Sequence, residues 1–374
     1  MLRAVRVEHS RFAVMLLLVL ATGLAVRAAQ TPQTAPEEAL LGFDPILLIG
    51  GKEELGKDDL AVVHDGLRYL FVNADNKRRF ESDPKRYGVQ LGAVCARMGG
   101  TVFGSADRFA VFNGRIYLFG SEDCRKKFVE ASEKYLEPAV TPITAGRDAV
   151  ARGKALLDKA AGAAGGAAAL DRLEALQERW MRTRVGPNGT QELHGTLTWR
   201  LPDRLRDERV FGGSPFASVL AGDQAFMAAP DLISPIRSGQ RDAVRHDLAR
   251  QVLVILHARR DPAVSVASLG RDRVGDLEVE QVAVVYRDTA CTLGIDPTTG
   301  RVLTQAFVGR GSAGLVGRIV RTFSDFRPIS GLTLPFTTTG TFEGNPSDEH
   351  SWRTLEIAVN DAVPASLFEP RTTR

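Results

Sequence analysis

The chain has 374 residues, 44% hydrophobic and 25% charged, and its formal net charge is +3 at pH 7. This length is sufficient for two domains that each have a hydrophobic core. Residues 1–28 contain four of the basic residues and one of the acidic ones, so the rest of the chain is close to neutral. A non-specific nucleic-acid binder needs a basic excess to displace counterions from phosphates, so the composition excludes that class.

Residues 1–28 have the pattern of a cleavable export signal. Three arginines precede an apolar stretch from Phe12 to Val26, and Ala28 supplies a small residue at the cleavage site. A membrane anchor needs about 20 apolar residues, and Arg27 ends this stretch earlier. We therefore expect a periplasmic or secreted protein with no transmembrane span in its mature chain. No cysteine follows the cleavage site, so lipidation is not expected, and residues 29–41 are predicted to be a tether.

Residues 42–138 contain an internal repeat, in which the same sequence pattern occurs twice with a constant offset of 48 residues. Val63 to Phe71 return as Val111 to Phe119, and the offset also holds for the aromatic pairs Phe80/Phe128 and Tyr87/Tyr135. Each copy predicts a β-hairpin followed by a helix. The dipeptides Asp65-Gly66 and Asn113-Gly114 indicate the hairpin turns, because these residues adopt the positive φ that a tight turn requires.

Four ordered motifs occur in and after the first copy: Gly42-Phe43-Asp44-Pro45, Tyr69-Leu70-Phe71, Phe80 with Pro84-Lys85-Arg86-Tyr87, and Gln90 to Cys95-Ala96. On these motifs the chain resembles the YHS domain family, in particular its exported bacterial branch. The resemblance implies a small α/β module that binds an envelope protein or a metal ion. Metal-associated members carry cysteines beside these motifs, and soft thiolates suit copper or zinc. This chain has Ile46-Leu47 and Val72 there, so a cysteine-rich site is largely missing.

The sequence contains three cysteines, Cys95, Cys124 and Cys291. Disulfides persist in exported proteins, and a bridge between Cys95 and Cys124 is the leading interpretation. The alternative is a copper or zinc site in which these two thiolates are joined by His64 or Met98. Cys291 is predicted to be a small buried apolar residue.

Residues 139–166 are rich in alanine, glycine and proline, and they predict a linker that is part helix and part hinge. Beyond the linker, apolar residues recur at spacings of three and four up to Gly186. This stripe predicts a helix that begins near Ala167. Its members are Leu170, Leu173, Leu176, Trp180 and Met181.

From residue 191 onward the hydrophobic period changes to two, which indicates strands with one buried face. After a first strand through Trp199, further strands are predicted at 207–211, 217–221, 224–229, 264–269, 277–286, 290–295, 301–308, 319–326, 332–342 and 352–359. One helix is predicted between them, from Asp242 to Arg259. A run of antiparallel strands interrupted by a single helix predicts the α+β class, with a strongly curved sheet.

Several motifs after residue 167 occur together: the predicted helix ending at Gly186, Asp296-Pro297-Thr298-Thr299-Gly300, the segment from Phe323 to Pro335, and Val359-Asn360 with Leu367-Phe368. On these motifs residues 167–370 resemble the LolA/LolB-type lipoprotein-carrier fold, an incomplete antiparallel barrel wrapped around an N-terminal helix. Phenylalanines replace the two tyrosines of the family's long segment, and Ser330 replaces its aspartate. The resemblance implies an apolar cavity between sheet and helix for an acyl chain or another apolar small molecule.

Seven apolar side chains are candidates to line that cavity, although each also suits packing of the helix against the sheet. They are Trp199, Phe226, Met227, Phe307, Phe336, Phe342 and Trp352.

The sequence has no Gly-x-Ser-x-Gly, His-Glu-x-x-His, phosphate-loop or Cys-x-x-Cys motif, so no catalytic residue is predicted. The favoured function is a non-catalytic exported protein that carries or senses a lipid or another apolar ligand. The alternative is a copper- or zinc-binding accessory protein that acts through its YHS-like module.

Overall fold

The computed structural model describes residues 36–370 apart from 101, 187–188, 212, 312–313 and 361–362. The predicted export signal and most of the predicted tether lie outside these residues. From Glu37 onward the chain forms a single compact unit. No helix in the described part of the chain is both long and apolar enough to cross a membrane.

The front module, residues 37–138, contains the two predicted hairpin-and-helix units. Its elements are β1 (Glu37–Glu38), α1 (Pro45–Ile49), β2 (Lys57–His64), β3 (Leu67–Phe71), α2 (Ala74–Ser82), α3 (Pro84–Tyr87), β4 (Ser105–Phe112), β5 (Arg115–Phe119) and α4 (Glu122–Glu130), with 3-10 turns at Gln90–Ala93 and Ser132–Lys134. Strands β4 and β5 and helix α4 repeat β2, β3 and α2 at the predicted offset. The two copies therefore share the same order of two strands and one helix.

Each copy is built around one phenylalanine of its helix. The ring centroid of Phe80 lies 4.7 Å from that of Tyr69, with an interplanar angle of 40°. Phe128 lies 5.3 Å from Tyr117, at 41°. Both phenylalanines are fully buried. The matching geometry shows that the same aromatic core organises both copies.

Residues 37–41 belong to the front module and not to the tether predicted over 29–41. Strand β1 pairs in parallel with β3, where Glu37 lies opposite Leu67. Ala39 and Leu40 are buried in the core of the first copy. Burial of these apolar side chains removes them from water, and the tether prediction, made from two prolines nearby, did not include that contact.

In its described residues the rear domain, residues 147–370, contains four α-helices before and within a large sheet. Its elements are α5 (Arg147–Ala163), α6 (Ala167–Asp171), β6 (Ala175–Gly186), β7 (Gly189–Arg200), β8 (Arg204–Phe211), β9 (Ser214–Ala221), β10 (Gln224–Ala229), β11 (Leu232–Pro235), α7 (Ser238–Ala249), α8 (Val252–His257), β12 (Ser265–Val274), β13 (Leu277–Tyr286), β14 (Thr289–Ile295), β15 (Val302–Arg310), β16 (Val316–Ile329), β17 (Leu332–Phe342), β18 (Asn345–Pro346) and β19 (Trp352–Val359), with 3-10 turns at Ala258–Arg260, Asp348–His350 and Ala365–Phe368. The helix predicted over 242–259 occurs as α7 and α8.

These strands form one antiparallel sheet in the order β11-β10-β9-β8-β7-β6-β19-β17-β16-β15-β14-β13-β12, with β18 paired to β17. Most neighbours are consecutive hairpins. The exception is β19, which lies between β6 and β17 and pairs with β6 through Met181 and Arg353. The last strand of the chain therefore joins the two halves of the sheet.

The sheet curves around the helices. Leu205 near one end of the strand order and Val266 near the other belong to a single hydrophobic cluster, which also contains Leu157 of α5. Arg287, in the turn after β13, donates a hydrogen bond to the carbonyl oxygen of Pro202 at 2.5 Å, so the two halves also meet at one rim. The predicted α+β class with a curved antiparallel sheet is confirmed.

The helix inside the sheet is α5, which lies in the segment predicted to be a linker. Its buried face includes Leu156, Leu157 and Ala160, and it packs against β12 and β13. Gly153 makes a close approach possible, because a Cβ atom there would lie 2.9 Å from the backbone of Ala267. Residues 147–163 are therefore part of the rear core.

The helix predicted from Ala167 to Gly186 is wrong beyond Asp171. Strand β6 begins at Ala175 and is hydrogen-bonded on one edge by β7 and on the other by β19. Pairing on both edges satisfies the backbone N–H and C=O groups of this segment as fully as a helix would. Tertiary contacts therefore override the helical spacing of its apolar residues. The spacing arose because Leu170 and Leu173, in α6 and the following turn, precede the inward residues of β6.

Candidate ligand-binding site

A cavity of about 120 Å³ lies between the concave face of the sheet and helices α5 and α8. Its apolar wall includes Leu176, Trp199, Leu253, Leu256, Leu334 and Trp352. An engineered apolar cavity of about 150 Å³ binds benzene, whereas drug-sized ligands occupy pockets of roughly 300 Å³ or more. The cavity therefore suits one narrow apolar group.

Two of the seven predicted residues, Trp199 and Trp352, line this cavity. Phe307 and Phe342 belong to or pack against the surrounding core cluster. Phe336 is buried, and the Arg327 guanidinium lies 4.4 Å from its ring centroid. The structure thus brings the two tryptophans together at the cavity and places these three phenylalanines outside its lining.

Phe226 does not line the cavity, contrary to the prediction. It packs with Ala217, Val219 and Phe368 in a separate cluster, whereas its neighbour Ala225 belongs to the concave core. Successive side chains of a strand point to opposite faces, so the prediction chose the wrong face by one residue. Met227 is half-buried and is also absent from the lining.

Four charged residues line the cavity, and none of them was among the predicted site residues: Glu178, Arg250, Arg301 and Arg321. A signal for two of them was present in the sequence. Arg321 falls between Ile319 and Phe323 on the inward face of β16, and Glu178 follows Leu176 by two residues on that of β6. A charged residue at an inward position of an amphipathic strand is an exception to the alternating pattern.

Glu178 is held by two donors from the neighbouring strand β19. Its Oε1 accepts hydrogen bonds from Trp352 Nε1 at 3.0 Å and from Thr354 Oγ1 at 2.5 Å. Burial raises the pKa of this carboxyl, and the two hydrogen bonds oppose that shift. Glu178 therefore has its own partners inside the protein.

Arg321 lies between two aromatic rings, with its guanidinium carbon 4.9 Å from the centroid of Phe307 and 5.1 Å from that of Trp352. Its Nε is buried and has no hydrogen-bond partner among the described residues. Burial lowers the pKa of the guanidinium to about 10, so the group is still charged at neutral pH. Arg321 thus presents a cation to the cavity.

Arg250 links the cavity to the front module. Its guanidinium lies 3.2 Å from a carboxylate oxygen of Glu137, at the end of the front module, and 3.6 Å from Asp247. The same group is 5.1 Å from the Phe307 ring centroid, and Gln305 Nε2 donates to the Arg250 carbonyl oxygen at 2.6 Å. Arg250 is thereby fixed in position.

The front module also holds helix α7. The Asp65 carboxylate, in the first hairpin turn, accepts hydrogen bonds from the backbone N–H of Ser238 at 2.8 Å and from its hydroxyl at 2.8 Å. Arg310 of β15 donates from Nη2 to the Tyr135 carbonyl oxygen at 2.8 Å and from Nη1 to that of Arg97 at 3.2 Å. These contacts fix the front module against the rear domain.

Cys95 and Cys124 are free thiols, buried together in the core of the second copy. Burial raises the pKa of Cys124, but hydrogen bonds from Ser121, Arg97 and Cys95 outweigh it and leave the pKa lowered. Arg97 Nη1 lies 3.7 Å from the Cys124 sulfur and 3.2 Å from the Met98 sulfur.

The predicted third metal ligand, His64, is not near these thiols in the structure. It packs against Phe80 in the other copy, at 6.0 Å between ring centroids. Within the described ranges no three His, Cys, Asp or Glu side chains are grouped so that they could hold a metal ion. The Arg97 cation beside both sulfurs also disfavours a metal cation. His64 is therefore not a third ligand at these thiols, whereas Met98 packs against the same cluster and its role as a ligand stays a prediction.

No protein-family model and no curated protein matches the chain. Among solved structures, the chain is similar to a LolA superfamily protein from Nitrosomonas europaea, with 14% identity over 58% of this chain and 97% of that one and a TM-score of 0.39. A DUF1329 family protein from Desulfovibrio piger matches at 13% identity, over 59% and 97% of the two chains, also with a TM-score of 0.39. Values this low do not assign the chain to a family, and the YHS resemblance stays a prediction.

Proposed function

We propose that the protein is a non-catalytic binding protein of the periplasm that holds a lipid or another apolar ligand between α5 and the concave face of the sheet. The cavity carries this proposal, because its wall combines helix residues such as Ala160 with the two predicted tryptophans of the sheet. The arginine-led apolar pattern of residues 1–28 supports export.

The cavity has the composition of a ligand pocket. Such pockets are mostly apolar and contain a few polar groups that fix orientation. Each methylene that leaves water for an apolar wall contributes about 0.8 kcal/mol, so even a few carbons of an alkyl chain would give measurable affinity. The front module supports the site by fixing α7 and Arg250. A docking role of this module toward an envelope protein stays a prediction.

Filling the cavity tests the proposal. Ala164, half-buried at the end of α5, lines the cavity, and the substitution Ala164→Leu adds apolar volume to it. Ala155→Leu, at an exposed position of the same helix, is the matched control. We expect native mass spectrometry of protein purified from the periplasm to show a bound acyl species for the wild type and Ala155→Leu, and to show at least tenfold less for Ala164→Leu.

Thermal unfolding of both variants separates loss of the cavity from loss of the fold. Equal retention of acyl species by a folded Ala164→Leu variant would contradict the proposal. So would a wild-type protein that stays ligand-free after incubation with dodecanoate and dodecanol.

A further inference from the structure

The three arginines at the cavity differ in how closely a carboxylate approaches them. Three arginines and one carboxyl, Glu178, line the cavity, and Glu178 accepts two hydrogen bonds from strand β19. Glu178 and Asp247 favour the charged form of Arg321 through space, without an ion-pair contact. Among the three arginines, Arg250 alone has a carboxylate within ion-pair distance in the part of the chain described. His350 adds no charge at neutral pH, because burial and the nearby Arg321 lower its pKa to about 4.

Arg321 has unused capacity for hydrogen bonds. A guanidinium has five N–H donors in a planar fork. The contacts of Arg321 are with the faces of the Phe307 and Trp352 rings, and no acceptor for its side chain occurs among the described residues. Cation–π contacts offset part of the cost of burying this charge, but they leave the buried Nε–H donor without an acceptor.

The sheet fixes Arg321 in this position. Its strand partners are Gln305 of β15 and Gly340 of β17. Gly340 has to be a glycine, because a Cβ atom there would lie 2.4 Å from the backbone of His350. Ile319 and Phe323, two residues away on either side, are buried on the same face. Arg321 is therefore held among apolar residues at the cavity wall.

A second guanidinium contacts the same aromatic ring as Arg321. Arg250 and Arg321 both approach the Phe307 ring, at 5.1 and 4.9 Å from its centroid. Burial and repulsion by the charge of Arg250 both lower the pKa of Arg321, and the Nε atoms of both side chains are buried without a partner among the described residues. An anion in the cavity that both residues line would offset this repulsion and accept free N–H donors of Arg321.

We infer that the ligand is a single-chain amphiphile with an anionic oxyanion head group, a carboxylate or a phosphate, which binds Arg321 while its alkyl chain lies along the apolar wall. This inference deepens the proposed function and rests on it. A planar guanidinium matches two oxygens of a carboxylate or phosphate. A volume of about 120 Å³ suits one chain and is too small for a multi-chain lipid.

Isothermal titration of lipid-extracted protein tests the inference with four probes: dodecanoate, dodecyl phosphate, dodecanol and inorganic phosphate. We expect the wild type to bind the two charged amphiphiles at least tenfold more tightly than dodecanol. Arg321→Met keeps an apolar side chain of similar length and is expected to weaken dodecanoate binding about 10- to 100-fold, without weakening dodecanol binding. Arg321→Lys keeps the charge but loses the planar pair of N–H donors that matches two carboxylate oxygens. Its affinity for dodecanoate should fall between those of the wild type and Arg321→Met.

Arg318→Met, at an exposed position of the same strand, is the matched control and should bind like the wild type. Equal wild-type affinity for dodecanoate and dodecanol would overturn the inference and leave the proposed function in place. Arg321-dependent binding of inorganic phosphate as tight as that of dodecyl phosphate would also overturn it, because the chain would then contribute nothing. Failure of every amphiphile to bind would contradict the proposed function itself.

Discussion

The two copies in the front module have the same order of strands and helix, but different side-chain contacts hold the helix of each copy in place. In the first copy, Asn76 of α2 donates to the buried carboxylate of Asp44 at 2.8 Å, and the same carboxylate accepts from the Val72 N–H at 2.9 Å. In the second copy Cys124 occupies the position of Asn76 and lies beside Cys95. At the same helix position, the first copy therefore uses a hydrogen bond to a carboxylate and the second copy uses a pair of thiols.

The copies also differ in what their hairpin turns contact. Asp65 binds Ser238 of the rear domain, whereas Asn113, at the equivalent turn position, is exposed. Both residues have positive φ, 53° and 50°, as the turn requires. The comparison teaches that the aromatic core defines the fold of each copy, while the peripheral residues differ according to their contacts.

The largest effect is expected at the shared aromatic core. Phe128→Ala should lower the free energy of unfolding by roughly 3–5 kcal/mol, because the substitution leaves a cavity among fully buried rings. Phe80→Ala should cost a similar amount, since the two rings have matching neighbours. Urea denaturation followed by circular dichroism measures both values.

Val129→Ala is the control, because Val129 is exposed beside Phe128 on the same helix. Its substitution should change stability by less than about 0.5 kcal/mol. A cost below about 1 kcal/mol for one phenylalanine and not for the other would show that the copies are not organised in the same way.

The thiol pair gives the next largest effect. If export oxidises Cys95 and Cys124, the bridge closes a loop of 29 positions and should stabilise the protein by roughly 3.6 kcal/mol relative to the reduced form. Thiol titration of the denatured, unreduced protein from the periplasm should then detect only Cys291. Urea denaturation with and without dithiothreitol measures the stabilisation.

Cys291→Ala is the control for this pair. Burial raises the pKa of Cys291 to about 12, so its thiol is inert in the folded protein, and the variant should keep the full difference between oxidised and reduced forms. Three reactive thiols in the denatured protein would show that the second copy functions with free thiols, as the structure has them.

Local signals in the sequence were sufficient to predict the front module and most of the sheet. Asp65-Gly66 and Asn113-Gly114 specify their turns by backbone conformation, and that requirement depends on nothing distant. The strands of the rear domain alternate apolar and polar residues because one face of the sheet is buried. Both signals are local consequences of the final fold, which is why they were informative.

The helix inside the sheet and the charges of the cavity were not predictable in the same way. The alanines and glycines of α5 indicate a hinge when the sequence is considered alone, but Gly153 is small because β12 passes against it. Arg321 is one charged residue in an otherwise apolar pattern, and its meaning depends on Phe307 and Trp352, which come from two other strands. The position of α5 and the role of Arg321 depend on tertiary contacts, which the spacing of apolar residues in the sequence does not show.

The smallest predicted effect concerns the turn that differs between the copies. Asp65→Ala removes the acceptor for the Ser238 N–H and hydroxyl at the start of α7, and it also places alanine at a positive φ. Asn113→Ala introduces the same backbone strain at an exposed turn with no such contact. The difference between the two variants therefore isolates the hydrogen bonds to Ser238, and we expect Asp65→Ala to cost about 1–2 kcal/mol more in urea denaturation. Equal costs would mean that the turn of the first copy contributes nothing to holding α7, and that Arg250 is positioned by Glu137 and Asp247 without it.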